Sequence, residues 1–239
     1  MREAPVSWAA VIVAAGRGTR FGRPKQLVEI AGEPMLCWSL RVFASMEEVT
    51  AIVVVTERDW LQDVASLAES CSGGKWVAAV PGGATRQRST YEGLCAVPDG
   101  CDGVFVHDGA RPLIVAREVR AGMRPVCAGH GSLLAVPVVD TIKTVDPATN
   151  TVVKTLERST LWAAQTPQFA TTTDMRAAHE AAIRSDVDAT DDANLLERAG
   201  VLVHVVPGSV ENFKVTVPED HRRADRAMRA RLTSAGELR

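Results

Sequence analysis

Four cations, Arg17, Arg20, Arg23 and Lys25, crowd in directly behind a stretch with almost no side chains, Ala14, Ala15, Gly16 and Gly18. A backbone stripped in this way approaches a ligand closely and aims its N–H groups at an anion. With cations beside it, the chemistry indicated is the holding of a polyphosphate. The spacing matches neither common phosphate motif. A P-loop needs Gly-x4-Gly-Lys-Ser/Thr and a dinucleotide turn needs Gly-x-Gly-x-x-Gly. Here Gly16-x-Gly18 is followed by Arg20-x-Gly22 and then Pro24-Lys25-Gln26. Read alone, the stretch also suits an ordinary glycine-rich turn with surface cations.

The elements that must position these residues follow from hydrophobic pattern. Val11-Ile12-Val13 is a short β-branched run that predicts a buried parallel strand ahead of the glycine turn. A helix is predicted from Pro34 to about Ser45, with Leu36, Leu40 and Phe43 facing the core. Strands are predicted at Ala51 to Val55, Trp76 to Val80, Val104 to Val106 and Leu133 to Val138. Between them lie a helix-compatible stretch to about Ser70, a loop entering a helix at 84–90, and a helix at 115–128. Strands alternating with helices predict an α/β fold with a mostly parallel sheet covered on both faces. In such sheets ligands bind beyond the carboxyl ends of the strands. The glycine turn, Gly82-Gly83 and Asp108 all fall just past predicted strand ends, so three separate segments converge on one edge.

Residues 140–158 break the rhythm. Two alternating segments flank Pro147-Ala148-Thr149-Asn150, a β-hairpin signal. A two-stranded hairpin is marginal alone, so this one reads as a protruding arm that builds a dimer. Beyond it are predicted an extended stretch at 162–169 and helices at 172–184 and 191–199. Strands at 201–206 and 212–216, a basic last helix from about 216–219, and fraying over 234–239 complete the prediction. The simplest division is one domain, 1–239, with the arm at about 138–160. Asp191 and Asp192 resemble a metal pair, but a helix N-terminus accounts better for them.

Hydrophobic content of 46% and charged content of 23% are ordinary for a soluble chain, and the net charge of −2 provides no global field toward nucleic acid or an anionic membrane. Nucleic-acid binding also lacks stacking aromatics, at 5% of residues. No apolar run reaches the roughly 18 residues of a membrane span, and the first five residues lack a signal-peptide layout. Cys37, Cys71, Cys95, Cys101 and Cys127 include no Cys-x-x-Cys pair, which reads as free thiols in a reducing cytoplasm rather than a zinc site.

Together, AAGRGTRFGRPKQ at 14–26, GGATRQRS at 82–89, VHDGARP at 106–112, DTIK at 140–143, ERSTLWAAQTPQ at 157–168, ATDDANLLERAG at 189–200 and ENFKVTVPED at 211–220 resemble the 2-C-methyl-D-erythritol 4-phosphate cytidylyltransferases of the non-mevalonate isoprenoid pathway. Gly109 and Thr90 depart from the commonest pattern, where Ala and Val are usual. The resemblance implies a Rossmann-like nucleotidyltransferase domain joining CTP to a phosphorylated methyltetritol with release of pyrophosphate. It implies that Arg20 and Lys25 stabilise the transition state, and that Arg158 and Lys214 orient the acceptor phosphate. It implies a nucleotide site of Ala14, Ala15, Gly16, Gly18, Gly82, Gly83 and Ser89, with Arg111, Thr141, Thr166 and Thr190 on the second substrate. Asp108 becomes the Mg²⁺ ligand, because magnesium takes one or two carboxylates plus phosphate oxygens. His107 is read as structural, because a phosphate monoester is already ionised and needs no base. Rival readings are a ribitol-5-phosphate cytidylyltransferase and a non-catalytic CTP-binding protein of the same fold. A glycosyltransferase fits less well, for want of an Asp-x-Asp motif after the fourth strand.

Overall fold

The computed structural model describes residues 4–16 and 25–237. The chain opens with β1 (Trp8–Val13), then β2 (Glu29–Ile30) and β3 (Glu33–Pro34), a two-stranded turn that the hydrophobic pattern does not announce. Next come α1 (Met35–Ala44), β4 (Val49–Thr56), α2 (Leu61–Cys71), β5 (Trp76–Pro81), α3 (Arg86–Cys95), β6 (Gly103–Asp108), α4 (Ala116–Met123) and β7 (His130–Pro137). The arm is β8 (Lys143–Asp146) with β9 (Thr151–Thr155). After it follow β10 (Trp162–Thr171), α5 (Thr172–Arg184), α6 (Asp192–Arg198), β11 (Leu202–Pro207) and α7 (Pro218–Glu237).

Among the described residues seven strands form one sheet in the order β11-β7-β10-β6-β1-β4-β5. All neighbours are parallel except β10, which runs antiparallel to both β6 and β7. β1 therefore sits between β6 and β4, with Val13 level with Asp108 on one side and Val55 on the other. This register is what brings the glycine turn and Asp108 to the same edge.

The alternation of β1 explains its position. Trp8, Ala10 and Ile12 pack on one face with α1 and the rings of Phe43, Phe105 and Phe169. Ala9 and Val11 pack on the other, against residues of α3, α5 and α6. Phe43 and Phe105 meet edge-to-face with centroids 4.9 Å apart. Both faces of the strand are dry, as the β-branched run requires.

Three expectations need correction. Residues 212–216 are irregular, not a strand. The Val215 N–H goes to the Ala110 carbonyl at 2.8 Å, a loop residue, so the segment closes over a turn instead of joining a ladder. α4 ends at Met123 and does not reach 128, because Pro125 has no N–H to continue the helix. α7 runs on to Glu237, where fraying is predicted from 234. The hairpin is present: β8 and β9 form their own two-stranded sheet, with Val145, Val152 and Val153 exposed. Among the described residues no helix is long and apolar enough to cross a membrane. All five cysteines are free thiols.

Candidate active site

At the carboxyl ends of β1, β4, β5 and β6 lies a cavity of about 590 Å³. Ala15 and Gly16 line it from the turn after β1, Gly82, Gly83 and Ser89 from the turn after β5, and Asp108 from the end of β6. Arg86 and Lys214 reach it from α3 and from the irregular segment before α7. Six of the residues expected from the sequence thus meet Lys214 around one space.

The turn after β5 needs its glycines. A Cβ on Gly82 would lie 2.5 Å from the Ala15 Cβ and 2.8 Å from the Ser89 Oγ. Ser89 fixes the turn: its Oγ donates to the Thr85 carbonyl at 2.9 Å and accepts from the Gly83 N–H at 3.1 Å. Thr85 caps α3 by accepting from the Arg88 N–H at 3.1 Å, which starts the helix so that Arg86 points at the cavity. Ala14 is buried and its N–H donates to the Val55 carbonyl at 2.7 Å. It supports the first turn but has no free N–H for a ligand.

Asp108 is the electrostatic centre. Its side chain is 9% exposed and meets three cations. Lys214 Nζ is 2.8 Å from Oδ2, Arg86 Nε 3.1 Å from Oδ1, and Arg111 Nε 3.8 Å from Oδ2. Burial by itself would raise the Asp108 carboxyl. Arg86 first, then Lys214 and Arg111, hold it instead well below the usual carboxylate range. Arg86 also donates through Nη2 to Asp192 at 2.9 Å. Asp192 is 1% exposed and lies 3.2 Å from His179 Nε2. Burial opposes its ionisation too, but Arg86 and the His179 bond bring its pKa down to about 2.

His107 is built into the wall. Its Nε2 faces the Arg111 carbonyl at 3.1 Å, an atom that only accepts, so Nε2 carries the proton. Nδ1 then accepts from the Thr166 hydroxyl at 3.2 Å, and that oxygen accepts the Asp108 N–H at 3.0 Å. Burial pushes His107 down to about 4. It is a neutral spacer that sets the height of Asp108, as its structural reading requires.

The acceptor-side residues divide. Arg111, Thr166 and Lys214 cluster at Asp108. Arg111 is pinned by donating Nη1 to the Asn212 carbonyl at 2.7 Å, and its buried Nε has no hydrogen-bond acceptor. Thr141, Arg158 and Thr190 are exposed and do not line the cavity. Arg158 donates to the Val139 carbonyl at 2.7 Å, at the base of the arm. Gly18, Arg20 and the other cations of 17–24 lie outside the described residues, as does the Lys25 side chain. Asp191 caps α6 by accepting from the Asn194 N–H at 3.1 Å, as its helix-start reading expects.

Sequence reasoning missed Arg86 and its pairing with Asp192, which was read only as a helix-start residue and does begin α6. The segment offers Arg86 and Arg88 equally. Only helix geometry separates them, since Arg88 turns away to pair with Glu92 at 2.9 Å.

No group of three or more His, Cys, Asp or Glu among the described residues could hold a metal ion. Among the described residues three carboxylates line the cavity, Glu57, Asp59 and Asp108, and of these Asp108 is the buried one set among cations. That donor set fits magnesium carried by a polyphosphate, which supplies the remaining oxygens, and does not fit an all-protein cage.

Known proteins are similar to this chain in sequence and in fold. The sequence model for 2-C-methyl-D-erythritol 4-phosphate cytidylyltransferase matches residues 8–230. The chain is 41% identical over 232 residues to the protein of that name from Rubrobacter xylanophilus, covering 96% of this chain and 98% of that one. It is 39% identical over 218 residues to the one from Halalkalibacterium halodurans, covering 90% and 94%. Among solved structures it is similar to 4-diphosphocytidyl-2C-methyl-D-erythritol synthase from Anaerococcus prevotii, with a TM-score of 0.81 and 28% identity over 93% of this chain and 96% of that one. The Francisella tularensis cytidylyltransferase structure gives 0.77 and 28% over 92% and 98%. With a match that runs from β1 into α7 and takes in every wall of the cavity, the chain belongs to the 2-C-methyl-D-erythritol 4-phosphate cytidylyltransferase family.

Proposed function

We propose that this chain transfers CMP from CTP to 2-C-methyl-D-erythritol 4-phosphate, releasing pyrophosphate and 4-diphosphocytidyl-2-C-methyl-D-erythritol for isoprenoid precursor synthesis. The observation that carries the mechanism is the buried Asp108 carboxylate, ringed by Arg86, Arg111 and Lys214 at the mouth of a glycine-lined cavity.

The acceptor phosphate carries roughly −1.5 to −2 charges near neutral pH. It attacks the α-phosphorus of CTP, the bond from that phosphorus to the bridging oxygen breaks, and pyrophosphate leaves with the electrons. No proton is removed from the nucleophile, so the barrier is repulsion between anions and the cost of alignment. Lys214 and Arg111 supply positive charge on the β6 side of the cavity. Arg20 and Lys25, on the segment after β1, neutralise charge on the α-phosphate and leaving group. Gly82, Gly83 and Ser89 hold the cytosine, where backbone contacts to the base edge select against a purine. Magnesium, when bound with the triphosphate at Asp108, adds charge neutralisation and fixes the phosphate geometry.

The exposed Arg158 and Thr141 at the arm base support a dimer in which the arm of one copy completes the site of the other. Exposed Val145, Val152 and Val153 give that arm an apolar surface to bury. The test is pyrophosphate release from CTP with methylerythritol phosphate or ribitol 5-phosphate, each with and without Mg²⁺. Release with the first acceptor, dependent on Mg²⁺, is the expected result. Preference for ribitol 5-phosphate, or nucleotide binding with no release, overturns the reading.

A further inference from the structure

Among the described residues Arg86 is the one cavity-lining cation tied to two carboxylates that are themselves almost fully buried. Its Nε goes to Asp108 and its Nη2 to Asp192. Asp192 has no role at the cavity surface, since it is 1% exposed and does not line the space. Behind it, His179 is 0% exposed, with Nε2 on the carboxylate and Nδ1 without a partner. A chain that buries a carboxylate and an imidazole behind one arginine incurs a desolvation cost that packing alone would not require. A planar guanidinium bonded on two edges loses its freedom to swing.

We propose that Arg86 is a further phosphate-contacting residue of this site, and that Asp192, supported by His179, is the positioning residue that holds it there. This rests on the nucleotide reading of the cavity. Asp108 is also the candidate metal ligand, so its hold on Arg86 is one the nucleotide complex breaks. Asp192 is the hold that remains. When Asp108 turns to a bound metal–nucleotide, the freed Nε of Arg86 donates to a phosphate oxygen while Nη2 stays on Asp192. The guanidinium thus changes one partner without changing place. A lysine at 86 keeps the charge but cannot reach both carboxylates with one planar fork.

Calorimetric titration of CTP and of inorganic pyrophosphate, with Mg²⁺, tests this on the full chain and needs no turnover. Arg86→Met weakens CTP binding by about 10- to 100-fold, the worth of a charge-assisted hydrogen bond. Arg86→Lys weakens it by about 10-fold with the fold intact. Asp192→Asn, with Arg86 still present, weakens it by about 5- to 10-fold. The double variant Arg86→Met with Asp192→Asn binds no more weakly than Arg86→Met alone, because Asp192 acts only through Arg86. Additive losses, or unchanged affinity in Arg86→Lys, overturn the proposal. Should Asp192→Asn not fold, the Arg86→Lys result decides by itself. If the wild-type chain binds CTP but releases no pyrophosphate with any acceptor, the cytidylyltransfer reading falls and this assignment is still judged by the titrations.

Discussion

Acidification from pH 7 to pH 4 will destabilise this protein through a buried side chain, His107. Its imidazole is 0% exposed and lies edge-on to Phe43 at 5.2 Å, with both nitrogens committed in the neutral form. A second proton on Nδ1 would face the Thr166 hydroxyl, whose oxygen already accepts from the Asp108 N–H. Burial therefore lowers the pKa from the ordinary 6.5 to about 4. A folded pKa below the unfolded one means that the unfolded chain takes up its proton first as pH falls. Stability is complete above 6.5 and declines down to about 4. At about 1.4 kcal/mol per pKa unit the loss is about 3 kcal/mol. Asp192, with a pKa brought down to about 2, loses its contribution only below the unfolded 3.8, so it falls outside this window. The assay is urea unfolding at half-unit steps from pH 4 to 8 for the wild type and His107→Gln. Glutamine can still donate to the Arg111 carbonyl and accept from Thr166, and it does not titrate. The difference between the two curves should slope by up to about 1.4 kcal/mol per pH unit between 4 and 6.5. Parallel curves would refute the account of His107. A folded His107→Gln protein whose turnover dropped by orders of magnitude would refute the base-free mechanism as well.

Four other outcomes are expected. Arg20→Ala or Lys25→Ala should slow pyrophosphate release by at least about 100-fold with an unchanged thermal midpoint, as removal of a transition-state charge contact does; near-normal turnover would remove the charge-neutralisation mechanism. Arg158→Ala should raise the KM for the polyol phosphate by about 10-fold or more while leaving that for CTP within about 2-fold, the effect of losing one phosphate contact; the reverse order would mean the two subsites are exchanged. Mg²⁺ should raise the thermal midpoint only when CTP is present, because no group of three or more His, Cys, Asp or Glu among the described residues could hold it; stabilisation by Mg²⁺ alone would point to a protein-only metal site. Val152→Asp with Val153→Asp should shift sedimentation from dimer to monomer and reduce turnover together; a monomeric wild type would remove the arm's proposed part in the site.

The sheet was legible because its strands carry their own signal. Val11 to Val13, Ala51 to Val55 and Val104 to Val106 are β-branched or apolar runs that only a doubly covered parallel strand can use. The strand ends then placed Gly16, Gly82, Gly83 and Asp108 on one edge without knowledge of any contact. The same logic failed at 212–216, where Phe213 and Val215 alternate with polar residues but the segment joins no sheet among the described residues. There the buried Asn212 amide, donating to the Thr166 carbonyl at 2.9 Å, fixes a turn instead. The β2–β3 turn escaped because two-residue strands have no period to detect.

The charges of the site were only half legible, for a different reason. Asp108 was found because it ends a strand and Lys214 because a resemblance named it, whereas Arg86 and Asp192 stand 106 residues apart and no local pattern joins them. Yet that pairing sets how the cavity meets its ligand. In the resting chain Arg86 and Lys214 are each held by a carboxylate, and Arg111 lies near one. On the proposed reading, a phosphate entering the cavity exchanges partners with these partly exposed cations, which lowers the desolvation cost of forming each new contact. The Nε of Arg111, buried and without an acceptor, is the exception. It is sealed in behind the cavity lining, 3.8 Å from Asp108 Oδ2. A cavity arranged this way gains most from a ligand that brings several anionic oxygens at once, since a polyphosphate could replace Asp108 on both Arg86 and Lys214.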